Sequence, residues 1–200
     1  MSDRKLSATL LALFLLWFAM LSLGGPDWVL DRNVLNILHG GVLTAPARKL
    51  TLLGNWPATT LISLAAAGWL LSRGERRRAL LLLGIAFSGR LLVEAQKIVF
   101  ARARPDAEGH LVAVHSLSFP SAHAASSMLV WLGIAMLAVS PRFRAPAIVV
   151  AVALSLLTGL TRLVLDVHWP SDVIGGWAFG AFWTVLLIRL AARATPSPAY

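Results

Sequence analysis

Six long apolar stretches constrain this chain more than any other feature of its sequence. The hydrocarbon core of a bilayer is about 30 Å thick, and a helix needs roughly 20 apolar residues to cross it. The stretches cover residues 6–23, 51–72, 79–100, 121–139, 146–165 and 173–192. No alternating strand pattern, internal repeat or long polar linker competes with them. The sequence therefore predicts an all-α polytopic integral membrane protein with six transmembrane helices and one membrane-embedded domain over residues 1–200.

The composition fits a membrane protein better than a soluble one. Charged residues make up 14% of the chain, whereas a soluble domain usually carries about 25%. The 18 Lys and Arg residues against 9 Asp and Glu give a net charge of +9. Nucleic-acid binding would need a solvated basic face, for which the apolar stretches leave little room, so we expect no nucleic-acid partner. The absence of cysteine excludes disulfides, a thiolate nucleophile and cysteine-based metal sites.

The first apolar stretch has a second interpretation as a signal peptide, because Arg4 and Lys5 precede it. Its apolar run is longer than a usual signal core, and the bulky Trp17, Phe18 and Met20 stand near its end. No clear cleavage site of small residues follows. We favour a retained helix.

Basic residues are divided unevenly between the two sets of connections. Ten lie at the N terminus, within 73–78 and 142–144, and at the C-terminal flank, against five in the other connections. Cytoplasmic loops carry the excess of Lys and Arg. Both termini are therefore predicted to be cytoplasmic, in a bacterial inner membrane, and connections 24–50, 101–120 and 166–172 to face the periplasm or exterior.

Charged residues follow one face of the third predicted helix. Arg90, Glu94, Lys97 and Arg104 share that face if the helix continues. Charged side chains inside a membrane usually face a cavity or a partner. We interpret Arg90 and Glu94, one turn apart, as a structural ion pair. Lys97 and Arg104 lie near the outward end, where they either snorkel to headgroups or bind an anion.

The segment FPSAHA (residues 119–124) marks the start of the fourth predicted helix. Ser121 is a natural N-cap there. The first amides of the helix and its dipole favour an anion, and His123 lies in the first turn beside that position. An ordinary capped helix start with an exposed histidine is the alternative interpretation.

The segment TRLVLDVHWPSD (residues 161–172) joins the last two predicted helices. His168 and Asp172 are four residues apart, so the carboxylate can reach one ring nitrogen and leave the other as nucleophile or base. The alternative interpretation of this pair is a local His–Asp hydrogen bond that only caps the helix. Arg162 brings a third cation to the outer face. The three segments together supply cations, a helix start, two histidines and a carboxylate, which suits phosphoryl transfer through a phosphohistidine.

These segments resemble, in order and internal spacing, the three-part signature of the type 2 phosphatidic acid phosphatase family, which also includes soluble vanadium haloperoxidases. The matching segments are Lys97–Pro105, Pro120–His123 and Thr161–Asp172. The resemblance implies a helical-bundle phosphatase in which His168 attacks phosphorus and Asp172 orients it. His123 would protonate the leaving oxygen and later activate water. Phosphate binding would fall to Lys97, Arg104, Ser121, Ala122 and Arg162.

Two positions depart from the commonest family pattern. Ala122 replaces the usual glycine and adds a methyl where a backbone amide approaches phosphate. Thr161 replaces the usual serine and keeps the hydroxyl on a stiffer side chain. Both changes are mild, so we expect activity with an altered pocket shape or affinity. Arg102 is a rival to Arg104, but the spacing from Lys97 and the proline that follows favour Arg104.

No metal site and no cofactor are predicted. Asp106 and Glu108 are the close carboxylate pair at the outer face and would bind a hard cation only weakly. The basic residues of these segments already supply the positive charge that a magnesium ion would provide. His110 and His115 are expected to be loop residues that could touch a headgroup, and His39 to be interfacial.

The outward position of the signature predicts a lipid-phosphate substrate whose tail stays in the bilayer. Candidates are undecaprenyl pyrophosphate, phosphatidylglycerol phosphate, phosphatidic acid and the phosphates of lipid A. A lipid phosphotransferase and a non-enzymatic transporter of lipids or anions remain as alternatives. Residues 27–38 form either an interfacial helix at a lateral entrance or a partly ordered loop. Trp28, Trp56 and Trp169 are candidate interface anchors.

Overall fold

The computed structural model describes residues 3–38, 42–105, 110–114 and 116–194, and helices are the regular elements within that part. We number the α-helices in chain order. They are α1 (Asp3–Leu23), α2 (Val29–Leu38), α3 (Thr44–Leu50), α4 (Trp56–Ser72), α5 (Arg76–Phe100), α6 (Ala122–Leu137), α7 (Arg144–Val164) and α8 (Pro170–Arg193). Short 3-10 turns at Thr51–Gly54 and Pro141–Phe143 precede α4 and α7. The all-α prediction is confirmed for the described residues.

Four of these segments are long and apolar enough to cross a bilayer: Asp3–Leu23, Arg76–Phe100, Pro141–Val164 and Pro170–Arg193. The helices in the two other predicted stretches are shorter, with 17 residues in α4 and 16 in α6. Large apolar side chains such as Leu15, Leu61 and Leu91 are exposed on the helix surfaces, as they are where lipid replaces water. The count of six spans stays a prediction.

The prediction of one continuous helix over residues 51–72 is wrong. A 3-10 turn ends at Gly54, and α4 begins only at Trp56. Asn55 is extended between them, and its side-chain oxygen accepts a hydrogen bond from the Ala58 amide at 2.9 Å, as an N-cap does. Hydropathy does not detect this break, because the residues on both sides of it are apolar.

Helix α6 lies at the centre and packs against α5, α7 and α8. Its approach to α8 depends on two glycines one turn apart. A methyl group at Gly176 would lie 2.7 Å from the Ser121 carbonyl oxygen, and one at Gly180 would lie 2.8 Å from that of Ala125. Small residues allow helix backbones to approach this closely in membranes. The first turns of α6 and α8 therefore lie side by side, at one end of the bundle.

Residues 29–38 form a helix, so the interpretation of this segment as a partly ordered loop is wrong, and its position at the membrane interface stays a prediction. Its Asp31 is completely buried and accepts hydrogen bonds from the Gly25 amide at 2.7 Å and from the Ser171 amide at 2.9 Å. The Ser171 hydroxyl donates to the same carboxylate at 2.5 Å. The start of α8 is therefore anchored to α2, a contact that the sequence did not predict.

Candidate active site

His168 lies in the short connection between α7 and α8 and is 2% exposed. Its Nδ1 is 3.3 Å from Asp172 Oδ2, and its Nε2 is 3.1 Å from a guanidinium nitrogen of Arg104. A guanidinium only donates hydrogen bonds, so Nε2 is the acceptor and the proton of the neutral ring is on Nδ1. Nε2 is therefore the ring nitrogen that carries the lone pair, and Arg104 is its hydrogen-bond donor.

The Asp172 carboxylate accepts hydrogen bonds from several donors. Pro170 begins α8, and the Trp169 amide donates to Asp172 Oδ2 at 2.9 Å across the first turn. Arg102 donates to Oδ1 at 2.9 Å, and the Ser118 hydroxyl donates to Oδ2. Arg102 therefore belongs to the carboxylate side of the site and Arg104 to the imidazole side. This separates the roles of the two arginines, of which the sequence analysis favoured Arg104.

Burial of His168 favours its neutral form. Removal from water lowers the pKa of His168 well below its usual 6.5, and the positive charges of Arg104 and Lys97 lower it further. Burial also lowers the pKa of Arg104. The imidazole is therefore neutral near pH 7, which is the form that can act as a nucleophile.

A cavity of about 220 Å³ opens in front of His168. Among the predicted site residues, it is lined by Arg104, Ala122, His123, Arg162 and His168. Residues that the sequence did not predict for the site also line it: Asn55, Trp56, Arg90, Glu94, Val114 and Ser116. Residues from the three signature segments thus meet around one space.

Two predicted phosphate ligands lie behind this wall. The buried Lys97 ammonium donates to the carbonyl oxygens of Leu117 at 2.5 Å and Ser118 at 3.4 Å. Ser121 stands at the N-cap position of α6, but its side chain makes no capping hydrogen bond, contrary to the prediction. Its hydroxyl is buried without a partner in the described part of the chain, while its amide donates to the Asp172 carbonyl at 2.9 Å. Direct contact of either side chain with phosphate stays a prediction.

Arg162 reaches the cavity from the end of α7. One terminal nitrogen donates to the Thr51 hydroxyl at 2.7 Å, and its buried Nε has no partner among the described residues. An anion in the cavity would supply one. Thr161 donates its hydroxyl to the Thr158 carbonyl at 2.6 Å, so the departure from serine affects helix α7 and not the cavity wall. Ala122, in contrast, lies in the wall.

The predicted ion pair between Arg90 and Glu94 is confirmed, with a distance of 2.8 Å. Both residues also line the cavity, which the sequence interpretation of a purely structural pair did not anticipate. Ser118 was missed as well, because nothing in the local pattern around Pro120 singles out a serine two residues earlier. Charge spacing on α5 could have indicated Arg90 and Glu94.

The remaining predicted residues lie elsewhere. His110 Nε2 is 3.1 Å from the Pro105 carbonyl oxygen, outside the cavity wall. Trp169 is buried and donates its indole N–H to the Ala103 carbonyl at 2.9 Å, so its prediction as an interface anchor is wrong. His39, His115, Asp106 and Glu108 lie outside the described residues. Within the described ranges, no three His, Asp or Glu side chains form a metal-binding cluster.

Comparison with known proteins identifies relatives of this chain. The model of the PAP2 superfamily matches residues 78–196. Lipid A 1-phosphatase of Rhizobium johnstonii is 36% identical over 125 residues, covering 58% of this chain and 48% of that protein. Decaprenylphosphoryl-5-phosphoribose phosphatase of Mycolicibacterium smegmatis is 36% identical over 143 residues, covering 68% and 72%. The chain therefore spans about half the length of the Rhizobium relative and more of the mycobacterial one.

A solved structure resembles the whole arrangement. The crystal structure of the first transmembrane PAP2 type phosphatidylglycerolphosphate phosphatase from Bacillus subtilis superimposes with a TM-score of 0.82 at 25% sequence identity. The match covers 94% of this chain and 98% of that one. The likeness therefore extends to the N-terminal helices that precede the region matched by the family model.

Proposed function

Because this chain belongs to the PAP2 superfamily, the type 2 phosphatidic acid phosphatases, we propose that it is an integral membrane lipid-phosphate phosphatase acting through a phosphohistidine. The observation that carries the proposal is the setting of His168. Its Nδ1 faces Asp172, while its Nε2 lies beside Arg104 at a cavity that also contains His123 and Arg162. This pairs an oriented nucleophile with a second histidine and with cations for the phosphate.

In the first half-reaction, the lone pair of His168 Nε2 attacks phosphorus. The bond between phosphorus and the lipid oxygen breaks. His123, which the negative charge of the bound phosphate keeps protonated, transfers its proton to that oxygen, so the lipid leaves as an alcohol. The imidazole becomes positively charged as the P–N bond forms. Asp172, which accepts from Nδ1–H, stabilises that charge and holds the ring in the required tautomer.

Positive groups neutralise the phosphoryl oxygens. Arg104 and Arg162 line the cavity, and the unpartnered Nε of Arg162 is available to an oxygen. The first amides of α6, at Ala122 and His123, add the positive end of the helix dipole. Lys97 contributes its charge from behind the loop at Leu117. Preorganised donors of this kind usually supply the largest part of phosphoryl-transfer catalysis.

In the second half-reaction, water attacks the phosphohistidine. His123, now neutral, takes a proton from the water as its oxygen bonds to phosphorus. The P–N bond breaks, its electron pair returns to His168 Nε2, and inorganic phosphate leaves. His123 ends protonated and His168 neutral, so both residues return to their starting states.

The arrangement in the membrane extends the proposal. All six apolar segments cross the bilayer of a bacterial inner membrane, with both termini in the cytoplasm. The cavity then faces the periplasm, since α6 and α8 begin at the end where it lies and α8 finishes near the basic residues Arg189 and Arg193. A lipid phosphate of the outer leaflet can reach the cavity while its tail stays in hydrocarbon.

The substrate is a phosphomonoester or pyrophosphate of a lipid. Undecaprenyl pyrophosphate, phosphatidylglycerol phosphate, phosphatidic acid and lipid A phosphate are the candidates. The names of the relatives support this class, because they are phosphatases of lipid A, of a decaprenyl-linked phosphoribose and of phosphatidylglycerol phosphate.

The test is phosphate release from a panel of these lipids by the purified protein in detergent. His168→Gln should reduce release to the rate without enzyme. His110→Gln is the matched control, because His110 also lies at this end of the molecule but outside the cavity wall. Full activity of the His168→Gln variant would refute the phosphohistidine mechanism. Turnover only after addition of a second acceptor would identify a phosphotransferase, and binding without turnover a transporter.

A further inference from the structure

A second buried carboxylate lies at the catalytic end of the bundle. Asp31 in α2 is completely buried, as Asp172 is, although burying a carboxylate is costly unless hydrogen bonds compensate for the lost water. It lies outside residues 78–196, the region matched by the family model, and the phosphohistidine mechanism does not use it. Its place in the fold therefore needs an explanation of its own.

The hydrogen bonds of Asp31 fix the direction of the Ser171 hydroxyl. Asp31 Oδ1 accepts from the Ser171 amide at 2.9 Å, and Oδ2 accepts from the Gly25 amide at 2.7 Å. The Ser171 hydroxyl oxygen lies 2.5 Å from Oδ2. An ionised carboxylate only accepts hydrogen bonds, so the hydroxyl must donate to it. The lone pairs of the Ser171 oxygen are therefore left for a donor on its other side.

That donor is Arg102, which also holds the catalytic carboxylate. Its Nη1 is 3.1 Å from Ser171 Oγ and 2.9 Å from Asp172 Oδ1, so one nitrogen with two hydrogens serves both neighbours. Its Nη2 donates to the carbonyl oxygens of Met20 at 2.9 Å and Leu21 at 2.6 Å. Each of these acceptors fixes part of the orientation of the guanidinium.

The guanidinium of Arg102 is enclosed by protein. Its side chain is 8% exposed, and it lies over the Phe119 ring at 4.4 Å from the ring centroid. A buried donor cannot replace a lost acceptor with water, so Arg102 must shift when one of its acceptors is removed. Such a shift would move the Asp172 carboxylate, and with it the His168 ring that the carboxylate orients.

We propose that Asp31 and Ser171 are positioning residues of the phosphoryl transfer. Asp31 orients the Ser171 hydroxyl, and the Ser171 oxygen holds Arg102. Arg102 in turn holds the Asp172 carboxylate in the position from which it orients His168. Neither Asp31 nor Ser171 lines the cavity, so both act without touching the substrate. The inference rests on the proposed function and brings helix α2 into it.

Ser171→Ala tests the link with the least disturbance of the fold. It removes the hydroxyl but keeps the two amide hydrogen bonds that anchor Asp31, from Gly25 and from position 171. With dioctanoyl phosphatidic acid in detergent, kcat should fall about fivefold, as for roughly one lost hydrogen bond, and KM should stay nearly unchanged. Ser155→Ala is the matched control, because Ser155 is equally buried but donates to the Ala151 carbonyl within α7.

Asp31→Asn tests the origin of the link. Whichever oxygen the new NH2 group replaces, it faces an amide N–H, from Gly25 or from Ser171, so the carboxylate contacts cannot all be kept. We expect kcat to fall about tenfold with little change in KM. Asp27→Asn is the control, since Asp27 is an exposed carboxylate just before α2, and it should keep the wild-type kcat.

The double variant shows whether the two residues act through one another. Combined with Ser171→Ala, Asp31→Asn should lower kcat by about as much as it does alone, because residues in one hydrogen-bond network are not additive. Independent roles would multiply to a loss of about fiftyfold. A loss of that size would contradict the link.

The ring signals of His168 provide a readout that a purely structural role would not move. Lower stability reduces the amount of folded protein but leaves the signals of the folded fraction in place. Displacement of Asp172 changes the hydrogen bond at Nδ1, so the ¹⁵Nδ1 and ¹³Cε1 NMR signals of His168 should move in both single variants. The His168→Gln variant assigns these signals, and those of His110 should stay where they are.

The outcomes separate this inference from the proposed function. Lower kcat with His168 signals at their wild-type positions would leave Asp31 with a structural role only and would overturn the inference. If Asp31→Asn does not fold, Ser171→Ala decides, and wild-type kcat and signals in that variant would overturn it as well. Activity that survives His168→Gln would instead refute the proposed function, whereas the NMR signals report the link without any turnover.

Discussion

At the scale of single residues, the Ser118 hydroxyl contacts both the nucleophile, His168, and the carboxylate that orients it, Asp172. The hydroxyl donates to Asp172 Oδ2 and lies 3.3 Å from His168 Nδ1, the same distance that separates Nδ1 from that carboxylate oxygen. Because the hydroxyl donates to Asp172, it can accept from Nδ1–H. The ring is thus held by two acceptors, and Arg102 fixes the carboxylate from its other oxygen.

Removing this hydroxyl should slow the chemistry more than it weakens binding. We expect Ser118→Ala to lower kcat about tenfold, as the loss of roughly one hydrogen bond would, with KM nearly unchanged because Ser118 does not line the cavity. Ser118→Cys should restore part of kcat through its weaker donor. Steady-state kinetics on one lipid phosphate provide the measurement. A KM effect without a kcat effect would contradict a positioning role.

The low pKa of His168 can be measured directly. Burial and the nearby cations disfavour the charged ring, so the imidazole should stay neutral as the pH falls below 6.5. Because the unfolded chain takes up this proton at a higher pH than the folded one, the group also costs stability progressively below pH 6.5. Histidine ¹³Cε1 NMR, with His168→Gln for assignment, reports the midpoint. A midpoint at or above 6.5 would be inconsistent with the buried setting.

The cations of the site also lead to a prediction about metals. Arg104 and Arg162 line the cavity and Lys97 lies behind it, so the phosphate charge is balanced by side chains. Activity should persist in excess EDTA, and vanadate should inhibit by occupying the phosphoryl position. Phosphate release with and without added magnesium is the measurement. Abolition by EDTA with recovery on magnesium would show that this account is wrong.

At the scale of elements, the break before α4 positions the proposed acid. Gly54 ends the 3-10 turn and packs against α6 and α7 with no room for a side chain. A methyl group there would overlap the Thr158 side chain and lie 3.1 Å from His123 Cβ. The apolar pattern predicts a helix through this point, because hydropathy contains no information on which backbone touches which side chain.

Gly54→Ala should therefore impair the acid step. We expect His123 to be displaced and turnover to fall about tenfold for alkyl phosphates, whose leaving oxygen needs a proton, and less for p-nitrophenyl phosphate. Gly68→Ala, in α4 with open space around the added methyl, is the control. Kinetics on both substrates and a melting temperature for each variant provide the measurement. Equal losses on the two substrates would point to general destabilisation instead.

At the scale of the whole molecule, most helix positions and several site residues could be predicted from local sequence. Apolar runs predicted most helix positions within a few residues, and short signatures predicted His123, Arg162 and His168 at one cavity. The contacts of Asp31 and Ser118 were not predictable, since Asp31 meets Ser171 across 140 positions and Ser118 meets His168 across 50. Neither residue belongs to a periodic pattern, so only the packed helices bring these pairs together.

The ends of the bundle differ in charge, which carries a prediction about orientation. Asp3 lies 3.7 Å from Arg189, and Arg77 donates to the Ala191 carbonyl, so the starts of α1 and α5 meet the end of α8. This end is rich in arginine, and the cavity lies at the other end. By the positive-inside rule, we predict that the arginine-rich end lies in the cytoplasm.

Because the chain has no cysteine, single introduced thiols can report this orientation without background. Val42→Cys, at an exposed position before α3, should react with a membrane-impermeant maleimide in intact spheroplasts. Ser72→Cys, at the exposed end of α4, should react only after lysis. Both variants should retain phosphate release, since neither residue lines the cavity. The reverse labelling pattern would place the cavity in the cytoplasm, where it could act only on lipid phosphates of the inner leaflet.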